Sequence, residues 1–105
     1  SNDFTSTDKS QKCYKALTDA GFTRMEYSYA QLKPFDIIAK NGHVEIYYGK
    51  GQDGLHRSYS WGNTHDGLAH TCNVKKGKNH DVMPSKCTRT DIETNSVYRC
   101  IWRHS

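Results

Sequence analysis

The spacing of apolar positions changes along the chain from a helical period to a strand period. Cys13, Ala16, Leu17 and Ala20 recur at i, i+3, i+4 and i+7, which lines one face of a helix. This predicts a helix from Thr7 or Asp8 to Ala20. Ser6 or Thr7 can cap it, Asp8 suits its positive end and Gly21 stops it. From Asp36 onward the period is two. Asp36–Lys40, His43–Tyr48 and Leu55–Ser60 read as the three strands of a meander, joined by Asn41-Gly42 and by the Gly49–Gly54 turn. On the middle strand Val44, Ile46 and Tyr48 share one face, and His43, Glu45 and Tyr47 share the other. On the third, His56 and Ser58 lie opposite Leu55 and Arg57. One sheet face is therefore expected to carry both His43 and His56.

The remaining segments are less patterned. Residues 1–6 read as a loose arm, and Phe22–Leu32 as a Tyr-rich connector. Residues 62–90 read as loops with a short strand around His70–Val74. Ser96–Arg103 alternates and predicts a closing strand with Tyr98, Cys100 and Trp102 buried. A chain of 105 residues has room for one core, so 7–105 is expected to be a single domain. Seven Tyr, three Phe and two Trp are enough aromatic surface to build that core, despite a hydrophobic content of 34%.

The net charge of +4 is spread out, with one cluster at Lys75, Lys76 and Lys78. Together with Arg89 these lysines could meet phosphates. No aromatic–basic signature accompanies them, so no specific nucleic-acid partner is expected. No apolar run approaches the ~20 residues needed to cross a bilayer, so no membrane span is expected. Four cysteines (Cys13, Cys72, Cys87, Cys100) are an even number in a short chain. That points to two disulfides and a secreted, periplasmic or extracellular setting, with all three pairings open. His65, His70, Cys72 and His80 crowd one loop, but their spacing matches no metal-ligand pattern. No metal and no cofactor are expected.

The stretch Leu32-Lys33-Pro34-Phe35-Asp36-Ile37-Ile38, then Gly42-His43-Val44-Glu45-Ile46-Tyr47-Tyr48-Gly49, then Leu55-His56-Arg57-Ser58, resembles the core of NlpC/P60 (papain-like) cysteine peptidases. The helix ending in Ala20-Gly21-Phe22 is similar to that family's nucleophile helix. The resemblance covers residues 8–62 and implies an α+β fold, an N-terminal helix packed on a small antiparallel β-sheet. It also implies a Cys-His-His site. Cys13 would be the nucleophile, His43 the base that forms the thiolate and His56 the group that orients His43. A register set by the helix end instead places Lys9 at the nucleophile position and makes Cys13 a core or disulfide residue. Phe35 and Glu45 stand where the family has glycines, and Glu45 would put a carboxylate beside His43.

Two functions are therefore expected from the sequence. One is a cysteine amidase or endopeptidase acting on peptide amides, with peptidoglycan stem peptides as substrate. The other is a catalytically inactive, disulfide-stabilised secreted binding protein or effector on the same fold; a toxin role is indistinguishable from these.

Overall fold

The computed structural model describes residues 3–60, 70–71 and 85–105, with the side chains of His70, Thr71 and Ser85 outside the description. A short helix α1 (Lys12–Asp19) precedes seven strands: β1 (Phe22–Glu26), β2 (Ile37–Lys40), β3 (His43–Lys50), β4 (His56–Ser60), β5 (His70–Thr71), β6 (Ser85–Arg89) and β7 (Cys100–His104). They form one sheet in the order β1-β7-β2-β3-β4-β6-β5, and every neighbouring pair is antiparallel.

The meander β2–β3–β4 forms where alternation and turn chemistry predict it. Ile37 pairs with Ile46 and Lys40 with His43 across the Asn41-Gly42 turn, where Gly42 has φ 73°. Between Tyr47 and Gly49 the β3–β4 register shifts by one residue. Such a bulge leaves Tyr48 without a pairing partner on β4 and increases the local twist.

The expected α+β arrangement, a helix packed on a small papain-like sheet, is not what the chain forms. The sheet dominates. α1 is only two turns long, begins at Lys12 rather than Asp8, has no side-chain N-cap and buries no residue fully. Two segments that read as connector or loop, Phe22–Glu26 and Ser85–Arg89, are strands. The predicted closing strand, β7, lies inside the sheet between β1 and β2, so Ile101 is buried along with Cys100 and Trp102.

Both faces of the β7–β2–β3 region are covered. On one face, Ile38, Tyr47, Ile92, Tyr98 and Ile101 form a core sealed by Met25, Tyr27, Tyr29, Leu32 and Val97. Met25 comes from β1, and the other covering residues come from two irregular segments, each with a 3-10 turn (Tyr29–Gln31 and Ile92–Thr94). The segments are tied by Tyr29 N–H donating to Asn95 Oδ1 at 2.8 Å and by Tyr27 O–H donating to the Ile92 carbonyl. On the opposite face, Ala39, Cys100 and Trp102 pack under Phe4, Tyr14, Leu17, Phe22, Ile37 and Val44. Tyr14 meets Trp102 edge to face at 5.1 Å. Phe4, in the stretch read as a loose arm, accepts a hydrogen bond from Trp102 Nε1 at 2.8 Å. Helix α1 thus lies on the Trp102 face. The Tyr47 face is the other one.

Candidate functional site

Alternation along β3 puts His43, Glu45 and Tyr47 on the Tyr47 face. Across β4 and β6 the same face carries His56, Ser58, Ser60, Cys87 and Arg89, matching the register Tyr47–Ser58–Cys87 and Glu45–Ser60–Ser85. Glu45, His56, Ser58, Ser60, Cys87 and Arg89 are all buried there. Five of these six are polar or charged, so each of the five must find a partner or carry a desolvation penalty.

Glu45 is the hub, and its exposure is 0%. Its Oε2 accepts from Ser58 Oγ, from Arg89 Nε at 3.0 Å and from Tyr98 O–H at 3.1 Å. Arg89 lies on β6 and Glu45 on β3, so the sheet curls enough for the guanidinium to reach across β4. Oε1 lies 3.0 Å from His43 Nε2. Burial pushes the Glu45 carboxyl upward, but hydrogen bonds from His43 and Ser58 and the Arg89 charge outweigh it, so the group sits below the usual carboxylate range. Burial in turn pushes Tyr98 far above the usual phenol range, with the Glu45 charge adding to it.

His43 Nε2 also lies 3.4 Å from Arg89 Nη2. One nitrogen cannot donate to a carboxylate and accept from a guanidinium at once. The Arg89 contact meets hydrogen-bond geometry, whereas the Glu45 contact is at ion-pair distance only and Oε1 accepts no hydrogen bond among the described residues. The side chain of His43 is 28% exposed.

His56 is a different kind of histidine. Nδ1 lies 2.7 Å from Tyr47 O–H and Nε2 lies 2.7 Å from Glu93 Oε2. A carboxylate only accepts, so Nε2–H donates to Glu93 and the Tyr47 hydroxyl donates to Nδ1. Tyr29 packs edge-on against the ring at 5.4 Å. Both nitrogens are committed, and the ring is buried.

The three residues of the expected triad are not brought together. His43 and His56 share a face, as alternation predicts, but each is bound to a different carboxylate. His56 is level with Lys50, whereas His43 lies beyond Glu45, which is level with Ser60. Cys13 lies on α1, which packs against the opposite face through Tyr14 and Leu17. Among the described residues, the polar contacts of His43 are Glu45 and Arg89.

The other thiols are also placed. Cys13, Cys87 and Cys100 form no disulfide with one another, so these three do not make the expected disulfide framework among themselves. Cys87 Sγ lies 3.2 Å from Ser60 Oγ inside the buried face. Cys100 donates to the Phe4 carbonyl, and burial pushes its thiol up to about 11. Among the described residues no group of three metal-ligating side chains forms. Trp61, His65, Cys72, Lys75, Lys76, Lys78 and His80 lie outside the described residues. No described helix is long and apolar enough to cross a membrane.

Sequence reasoning placed Glu45 beside His43 but missed its principal partners, Arg89 and Tyr98. A signal was present: a glutamate on the inward face of a strand, flanked by Val44 and Ile46, requires a cation to meet it. Which cation was not readable from spacing alone. No protein-family model, characterised protein or solved structure matches this chain.

Proposed function

We propose that this chain acts by binding rather than as a self-contained Cys-His-His hydrolase. The observation that carries this is the partition of the expected triad between two faces of one sheet: Tyr14 and Leu17 fix α1 to the Trp102 face, while His43 and His56 lie on the Tyr47 face. A thiolate forms where an imidazole or a helix N-terminus stabilises it within contact distance. Cys13 lies in the first turn of α1, so a helix N-terminus is at hand, but His43 and His56 lie across the sheet from it and no imidazole can take its proton. Among the described residues most polar groups of the Tyr47 face bond one another, with Glu45 Oε1 the exception. That is how a fold accommodates buried polar groups, and it leaves little that could stabilise a reacting amide.

The test is hydrolysis of purified peptidoglycan and of simple peptide amides, followed by release of free amine, with the natural chain and with Cys13→Ala. No release above the buffer control is expected from either protein. Release by the natural chain that falls at least roughly tenfold in Cys13→Ala would overturn the proposal, since loss of a covalent nucleophile removes far more than that. Titration of thiols in the unfolded, unreduced protein adds a second readout. At least two free thiols are expected, because Cys13, Cys87 and Cys100 form no disulfide among themselves and Cys72 can pair with only one of them.

A further inference from the structure

The face of β3, β4 and β6 that points away from Glu45 carries aromatic and basic side chains that the core does not use. Among the described residues, Phe35, Tyr48 and Leu55 are the large apolar side chains left exposed. Phe35 is 71% exposed and has φ 75°, a left-handed conformation that a bulky residue adopts only under strain. Its N–H donates to the Tyr47 carbonyl at 2.6 Å, which holds the backbone there. Glycine would meet this conformation without strain. An exposed phenyl ring contributes nothing to the core, so strain retained at this position points to a role outside folding.

The neighbouring residues extend the surface. Alternation along β3 turns Tyr48 to this face, where its ring meets Phe35 at 6.1 Å and Tyr59 at 5.3 Å, both edge to face. Lys86 Nζ lies 5.0 Å from the Tyr48 ring centroid. Beside them is a cavity of about 180 Å³ lined by Tyr48, Gly49, Lys50, Gly51, Arg57 and Lys86. Arg57 is clasped by Asp53 through Nη1 at 3.1 Å and Nη2 at 2.7 Å. Gly51 makes room for that clasp, because a Cβ there would lie 2.8 Å from both Arg57 Nη1 and Asp53 Oδ1.

We infer that this face binds single-stranded nucleic acid, with bases stacking on Phe35 and Tyr48 and phosphates met by Arg57 and Lys86. Apart from the Tyr48 hydroxyl, the polar side chains lining the cavity, Lys50, Arg57 and Lys86, carry donor atoms only. That suits a ligand rich in anionic oxygens and suits a neutral sugar poorly, since sugar hydroxyls need acceptors too. Exposed aromatic rings beside cations are the combination that holds unpaired bases with little regard to sequence. A duplex hides its base faces and offers only phosphates. Asp53 offsets part of the Arg57 charge, and Lys50 lies 3.4 Å from Glu93. Stacking therefore contributes more than charge, and binding is expected to depend only shallowly on salt.

This assignment rests on the binding role proposed above, and its test separates the two. Fluorescence anisotropy is measured with a labelled oligothymidylate of about 12 nucleotides, within the usual span of such sites. Duplex DNA of the same length and heparin serve as competitors. The single strand is expected to bind best. Phe35→Ala and Tyr48→Ala are each expected to weaken it roughly tenfold, the effect of losing one stacked base. Lys86→Ala is expected to lower the salt slope by about one contact. Unchanged urea midpoints show that the variants stay folded. Failure to bind the oligonucleotide, or equal competition by heparin with no effect of Phe35→Ala, overturns the nucleic-acid assignment. If insoluble peptidoglycan then retains the natural chain but not Phe35→Ala, the nucleic-acid assignment falls and the binding role stands. Cysteine-dependent hydrolysis removes the binding role itself.

Discussion

Ile101 in β7 and Glu45 in β3 are equally sealed from solvent, each with 0% exposure, yet different forces hold them. Around Ile101 the sheet is filled by Ile38, Ile92 and Tyr98 on one face and backed by Ala39, Cys100 and Trp102 on the other. That half is held by non-directional burial, which degrades in proportion to the area lost. Around Glu45 the neighbours are Ser58, Arg89, Tyr98 and His43, each at hydrogen-bond or ion-pair distance. Removing one member there leaves the others desolvated and unpaired. The apolar half should tolerate small changes, while the polar half should respond sharply to single deletions.

The largest effect is expected from breaking the polar half at its hub. Glu45→Ala leaves Arg89 buried without its counter-charge, and such deletions cost about 3–5 kcal/mol. Ile101→Val, which removes one methylene from the apolar half, should cost about 0.5–1.5 kcal/mol. Urea unfolding of the two variants measures the contrast. A smaller loss for Glu45→Ala than for Ile101→Val would show that the two halves do not differ in the way described.

Replacing both charges sharpens the same contrast. Glu45→Met together with Arg89→Met removes the pair without leaving either partner alone. The double variant should be more stable than Glu45→Met, with a coupling of about 0.5–3 kcal/mol in the double-mutant cycle. Additive losses would mean that Arg89 and Glu45 act independently.

The sequence disclosed the two halves unequally. The meander was legible because Asn41-Gly42 fixes a turn and because apolar and polar positions alternate along β3 at a period of two. The placement of His43, Glu45 and Tyr47 on one face followed from that period alone. β6 was not legible, because its inward positions are Cys87 and Arg89, and an inward arginine looks like a surface one until its partner is known. That partner is 44 residues away. β1 was hidden for a related reason: it is the sheet's edge strand, with Arg24 half-buried and donating to the Thr5 carbonyl. The expected triad failed on a fact that local pattern does not contain. Periodicity says which residues share a helix face, but not which side of a sheet the helix will cover.

The polar half should also reveal itself in acid. The folded-state pKa of Glu45 lies below its unfolded value, so the unfolded chain binds the proton more readily. The stabilisation is full above the unfolded carboxylate value of about 4.3 and is lost as pH falls from there through the depressed folded value. Urea midpoints of the natural chain should therefore drop across that window. Glu45→Gln, which cannot ionise, should be less stable at neutral pH and show a shallower drop. Parallel pH profiles for the two proteins would place the acid sensitivity elsewhere, with Glu93 the next group to examine because His56 and Lys50 hold its carboxyl low.

The smallest effect is expected on the outer surface, where neither half's core is involved. Phe35 keeps φ 75° with most of its ring in solvent. A left-handed conformation costs a non-glycine residue about 1–2 kcal/mol. Phe35→Gly relieves that strain but loosens the unfolded chain, which returns about 0.5–1 kcal/mol. Stability should thus rise by no more than about 1.5 kcal/mol. Phe35→Ala removes the same ring but retains the strain, so it should be less stable than Phe35→Gly by an amount resolvable in urea midpoints. Both variants lose the stacking surface and should lose oligonucleotide binding to the same extent. Should Phe35→Ala match or exceed Phe35→Gly in stability, the left-handed backbone carries no strain for the fold to hold, and the aromatic at this turn loses its claim to be kept for a ligand.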